Sequence, residues 1–140
     1  MANTLTGGCR CSAVRYEISA EPMMALQCQC RECQRATGGG HGSWLIVPAA
    51  ATKITGKVTT YNRQSDSGNR FAQEFCPSCG SPLFGRAGGM PQGIGIHAGS
   101  LDDLSVFQPQ MVVYTDRGHA WDKLDGAVQK FTRMPQMPGR

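Results

Sequence analysis

The sequence has 140 residues, 40% of them hydrophobic and 17% charged. That length and balance describe a single globular domain able to bury its own core, and they exclude a disordered chain. The formal charge of +4 is scattered without a basic run, and aromatics make up only 7%; a nucleic-acid partner, which needs a concentrated basic face, is therefore not expected.

The opening stretch, "MANTLTGGCRC", lacks the basic start, apolar stretch and cleavage site of a signal peptide. No apolar run approaches the ~20 residues needed to span a bilayer, so no membrane role is expected. A cytoplasmic location follows as the expectation, with thiols kept reduced.

In chain order, the first chemical signal is the C-x-C pair Cys9 and Cys11. "AVRYEIS" then alternates Val14, Tyr16 and Ile18 with polar residues, the period of a half-buried strand. "CQCREC" follows, placing Cys28, Cys30 and Cys33 within one short segment. "RECQRAT" predicts about two turns of helix, stopped by Gly38, Gly39 and Gly40. "SWLIVP", "KVTTYN", "RFAQEF" and "PLFGR" read as short strands, as do "GIGIHAG" and "QMVVYT". Between "RFAQEF" and "PLFGR" lies the C-x-x-C pair Cys76 and Cys79. "RAGGMPQGIG" lacks the Lys and spacing of a phosphate loop and is expected to be a turn region. "LDGAVQKF" predicts a second short helix. With 18 Gly and 8 Pro punctuating these runs, one mostly β domain over 1–140 is expected, its core spanning about residues 8–131.

Seven cysteines cannot all pair within one chain, and in a reducing compartment their grouping points instead to metal. Thiolates on tight turns can converge on one zinc ion, each about 2.3 Å from it. The two pairs make one four-cysteine site; the triplet makes a second site one ligand short. A redox pair is the rival reading for Cys76 and Cys79, but no βαβ pattern surrounds them. Three thiolates on Zn²⁺ leave a net charge of −1, which nearby donors would have to offset; Arg31 and Arg35 flank the triplet and are candidates. His41 is weighed as a partner or fourth ligand of the triplet but reads first as a loop residue. His97 reads as a strand histidine, His119 as surface or packing, and Trp44 and Phe71 as core or pocket wall, with alternation favouring core.

These motifs in this order resemble one family. G-x-C-x-C near the start, C-x-C-x-x-C-Q-R-A-T-G, F-C-x-x-C-G, "GSLDD" and "AWDKLDGAVQKF" resemble the glutathione-dependent formaldehyde-activating enzyme (GFA, CENP-V/GFA domain) family, from about Gly8 to Phe131. The resemblance implies an Mss4-like fold, mainly β, with antiparallel sheets around a structural zinc and one or two short helices. It implies that Cys9, Cys11, Cys76 and Cys79 hold the structural zinc and that Cys28, Cys30 and Cys33 hold a second, catalytic zinc, two ions per chain. It also implies carbon–sulfur lyase chemistry on the adduct of a small-molecule thiol, glutathione among them, with an aldehyde or other electrophile, similar to S-(hydroxymethyl)glutathione synthase. Many members carry His between the first two cysteines of the triplet, where this chain has Gln29; that departure leaves the substrate open. The alternative is a non-catalytic zinc module that binds protein or nucleic acid.

Overall fold

Eleven strands and one α-helix are found among residues 4–65 and 67–135, the residues that the structure, a computed structural model, describes. The first three residues of the leader-peptide reading and the last five of the proposed domain lie outside them. The strands are β1 (Leu5–Gly8), β2 (Arg15–Ile18), β3 (Met24–Cys28), β4 (Gly42–Pro48), β5 (Thr52–Thr55), β6 (Thr59–Gln64), β7 (Arg70–Phe75), β8 (Pro82–Ala87), β9 (Gly93–His97), β10 (Met111–Val113) and β11 (Gln129–Lys130). The helix, α1, is Arg31–Thr37, the span that "RECQRAT" predicts. The chain divides into two compact units, one formed by residues up to 24 with 45–107, the other by 25–44 with the residues from 108 onward.

In the first unit, β1, β2 and β5 form an antiparallel sheet with β2 in the middle. Tyr16 and Ile18 of β2 are buried while Glu17 between them is exposed, the alternation read from the sequence. Tyr16 packs edge-on against Phe84 at 5.5 Å. Its phenol donates to Ser100 Oγ at 2.7 Å, and that hydroxyl donates to the His97 carbonyl; burial pushes the phenol pKa up to about 12. Gly7 is required here, because a Cβ would stand 2.2 Å from the Tyr16 oxygen. The "GSLDD" motif thus has a structural use: Ser100 anchors Tyr16, and Asp102 takes hydrogen bonds from Arg15 and Thr6. The Arg15 guanidinium first, and Thr6 second, hold the Asp102 carboxyl down at about 2.

Also in the first unit, β6, β7, β8 and β9 pair antiparallel in that order. β9 is buried along its whole length. A register shift between Glu74 and Phe75 interrupts the β7–β8 ladder, and the bulge re-aims the chain into the turn that carries Cys76.

The second unit corrects two expectations. Here β10 lies parallel to β3, pairing Met111 with Leu26 and Val113 with Cys28, and β11 is parallel to β10. The sheet that holds these strands is therefore mixed, whereas the β1–β2–β5 sheet is antiparallel throughout, and the fold is mainly β as expected. Parallel partners need a long connection, which the chain between β3 and β10 supplies, and Val112 and Val113 are both fully buried, as parallel strands commonly are. The helix predicted at "LDGAVQKF" is a turn leading into β11. Asp125 takes the Ala127 N–H on its carboxylate at 3.0 Å, and the Lys130 ammonium bonds the Val128 carbonyl, so local side-chain bonds replace the helical ladder.

His97 ends β9 with 7% of its surface exposed, and burial lowers its pKa to about 4. Such a histidine is neutral in the folded state at pH values where the unfolded chain already binds a proton. Folding stability is therefore expected to drop as pH falls from about 6.5 towards 4, by up to roughly 3 kcal/mol. Acid also releases thiolate-bound metal, so the readout is a comparison. The stability gap between wild type and His97→Asn, from denaturant titrations at stepped pH, should narrow over that window; a constant gap would refute the assignment.

Candidate metal centres

The first unit brings Cys9, Cys11, Cys76 and Cys79 together, with all four sulfurs within 4.8 Å of one another. Each pair sits on a tight turn whose backbone points N–H groups at sulfur. In the first turn, Val14 N–H reaches Cys9 Sγ at 3.3 Å and Ser12 takes a positive φ of 66°. In the second, the N–H groups of Ser78 and Cys79 reach Cys76 Sγ at 3.4 and 3.5 Å. Gly80 closes that turn at φ +77°, a conformation glycine adopts without penalty. Ser81 links the two turns: its hydroxyl takes the Arg10 N–H at 3.0 Å and lies 3.1 Å from Cys79 Sγ. Contact with Ser81, hydroxyl first and then backbone, pulls the Cys79 thiol down to about 5. Four soft sulfurs at this separation match the donor set of a closed tetrahedral zinc site.

The second unit brings Cys28, Cys30 and Cys33 within the same 4.8 Å limit. Cys28 ends β3 and is buried; Cys30 caps α1, its sulfur taking the Cys33 N–H at 3.3 Å; Cys33 lies in the first turn of the helix and is buried. Short spacing thus works through geometry: strand end, cap and first turn place three sulfurs on one point. Without a counter-charge the thiols oppose one another's ionisation. Contacts with Cys30 and Cys33, then burial, raise the Cys28 pKa far above its usual range. Cys33 is pushed up to about 12, the balance of a hydrogen bond with Cys28 that lowers it against Cys30 and burial, which raise it. A divalent cation reverses that sign, because a coordinating thiol gives up its proton.

Among the described residues, no His, Asp or Glu joins the three sulfurs within that distance. His41 is engaged elsewhere, and it is not a free loop residue. Its Nε2 accepts from the Gln27 amide at 3.3 Å, and its Nδ1–H donates to Asp122 at 3.0 Å. Strand alternation explains the direction: Gln27 faces away from the neighbouring Cys28, and it also donates to Ser43 of β4. Arg31 and Arg35 are both exposed, and Arg31 bonds Gln34. A side-chain donor does reach a sulfur: the indole N–H of Trp44, a residue read from the sequence only for its packing, lies 3.4 Å from Cys33 Sγ.

Gln29 clamps the backbone between Cys28 and Cys30. Its N–H donates to the Val113 carbonyl at 3.0 Å, and its own carbonyl accepts from the buried Gln34 amide at 2.8 Å. Its side chain donates to Asp122 at 3.1 Å. Gly118 and Gly40 make the room, since a Cβ at either would stand about 2.6 Å or less from Gln29 and Asp122 respectively. Asp122 therefore joins His41 to the segment that carries two of the three sulfurs. Asp122→Asn is expected to cost about 1–3 kcal/mol and to hasten release of metal from the triplet under chelation, with release from the four-cysteine set unchanged. Equal release from both sets would mean that Asp122 serves general stability alone.

His119 and Trp121 are exposed and stack at 5.9 Å, and Phe71 lies under the Arg63 guanidinium at 4.4 Å. No helix among the described residues is long and apolar enough to cross a membrane.

Two comparisons bear on identity. The family model described as "Glutathione-dependent formaldehyde-activating enzyme" matches residues 4–117. The fold is similar to the crystal structure of a Rhodobacter sphaeroides protein solved as a structural-genomics target, with a TM-score of 0.55 and 21% sequence identity, over 69% of this chain and 87% of that one.

Proposed function

The chain belongs to the glutathione-dependent formaldehyde-activating enzyme family, and from that premise we propose that it is a zinc-dependent carbon–sulfur lyase. Its substrate class is the adduct of a thiol, glutathione or a relative of it, with a small aldehyde or other electrophile. One observation carries the proposal: four sulfurs converge in one cluster and only three in the other. Cys9, Cys11, Cys76 and Cys79 would hold a structural zinc, and Cys28, Cys30 and Cys33 a catalytic one. When bound by three thiolates, zinc offers a further position that takes a sulfur or oxygen and holds a thiol as its anion.

The chain's own residues supply the rest. Cys28 and Cys33 are buried, so the more exposed Cys30 marks the side from which substrate approaches. Gln29 and Gln34 fix the backbone carrying the sulfurs, so the site is organised before substrate arrives. In the cleavage direction the adduct's hydroxyl loses its proton as the carbonyl forms, the carbon–sulfur bond breaks with its electron pair going to sulfur, and sulfur takes up a proton. Addition is the reverse. This reading treats 1–140 as one GFA-type domain working in the cytoplasm, where free thiols are abundant.

The test is adduct formation from ¹³C-formaldehyde and other small aldehydes with glutathione and other thiols, followed by NMR against the uncatalysed rate. The zinc-loaded protein should accelerate at least one pair, and Cys30→Ser should not. Fully loaded protein that accelerates no pair would favour the non-catalytic zinc module.

A further inference from the structure

Trp44 is only 7% exposed, and by burial alone it is a core residue. Its indole edge, however, meets a sulfur: Nε1–H donates to Cys33 Sγ at 3.4 Å in a buried setting. Gly42 keeps that line open, because a Cβ there would stand 2.8 Å from the indole nitrogen and 3.3 Å from the sulfur.

Charge gives the contact its meaning. Three thiolates outweigh a divalent ion by one negative charge, which blunts the ion as a Lewis acid and disfavours a fourth, anionic ligand. Exposed Arg31 and Arg35 are screened by water, whereas a buried N–H aimed at one sulfur acts in a medium of low dielectric constant. We propose that Trp44 tunes the triplet: its N–H draws charge from the Cys33 thiolate, so that a bound ion is more electrophilic and takes a substrate thiolate more readily. Trp44 is thus a positioning and tuning residue acting through Cys33, and the inference rests on the triplet holding a divalent ion.

The experiment uses the full chain, ¹⁵N-labelled and loaded with ¹¹³Cd, alongside a cobalt form. Metal analysis should give two ions per chain. One of the two indole N–H signals should be split by cadmium through the N–H···S bond, and Trp44→Phe should abolish that signal while leaving Trp121's. In the cobalt form, Trp44→Phe should move the triplet's thiolate-to-metal absorption to lower energy, because the sulfur becomes more electron-rich. It should also weaken uptake of a small thiol on the order of tenfold. Absorption and thiol uptake unchanged in Trp44→Phe, with two ions bound, would overturn the tuning role and leave the metal reading standing. One ion per chain, retained by the four-cysteine set, would overturn the metal reading and the tuning with it.

Discussion

Cys76→Ser is expected to abolish the folded state of the first unit, seen as aggregation on expression or loss of a cooperative melt together with loss of bound zinc. Cys76 is fully buried, and its sulfur receives two backbone N–H groups, from Ser78 and Cys79. It lies 3.7 Å from Cys11 Sγ, on a turn 65 residues away in the chain. An ion held by these four sulfurs ties the two turns together, and its binding free energy is folding free energy, on the order of 10 kcal/mol for structural zinc. That is comparable with the whole stability of a domain this size. Serine offers a harder oxygen that does not ionise near neutral pH and is a poor zinc ligand. Zinc content by mass spectrometry and a thermal melt by circular dichroism check the outcome. A soluble Cys76→Ser protein melting within a few degrees of wild type would refute a structural role for this cluster.

Both sulfur clusters were legible in the sequence because each ligand group is local: C-x-C, C-x-x-C and the triplet lie on single turns, and spacing encodes turns. The longer alternating or β-branched runs, such as those giving β2, β4, β7 and β8, were legible for the same reason. β1 and β5 were not, because "LTGG" and "TKIT" are short and carry little apolar pattern; pairing with β2 makes them strands. "MALQC" was read only for its cysteine, although it is β3. The surroundings of the triplet were the least legible. Gln29 and His41 meet on Asp122, more than 80 residues further along, and no local pattern announces such a partner. Gly40 read only as part of a helix stop and Gly118 was not singled out, yet each leaves room for a side chain from elsewhere. Trp44 carried the correct burial signal and hid its chemistry, since nothing in "GSWLIVP" says which way an indole N–H points.

Cys30→Ser, in contrast with Cys76→Ser, should leave a folded protein that binds one metal ion fewer than wild type and gives no acceleration in the adduct assay. Cys30 has two duties that this substitution separates. Its sulfur is one of three converging ligands, and the same atom caps α1 by taking the Cys33 N–H. Serine is among the preferred residues at a helix N-cap, so the hydroxyl keeps the cap while removing the soft ligand. The backbone on either side stays pinned by bonds that do not involve Cys30: Gln29 to Val113 and Asp122, and Gln34 to the Gln29 and Arg117 carbonyls. Stability should therefore fall by no more than about 1–2 kcal/mol, within the ordinary range for a single substitution, and the four-cysteine ion should resist chelation as in wild type. Metal analysis, a melt and the adduct assay on one preparation decide the matter. If Cys30→Ser unfolds as completely as Cys76→Ser, the triplet is as structural as the four-cysteine set and the division of labour between the two ions is wrong. If it keeps both ions, a ligand other than Cys30 completes the second site.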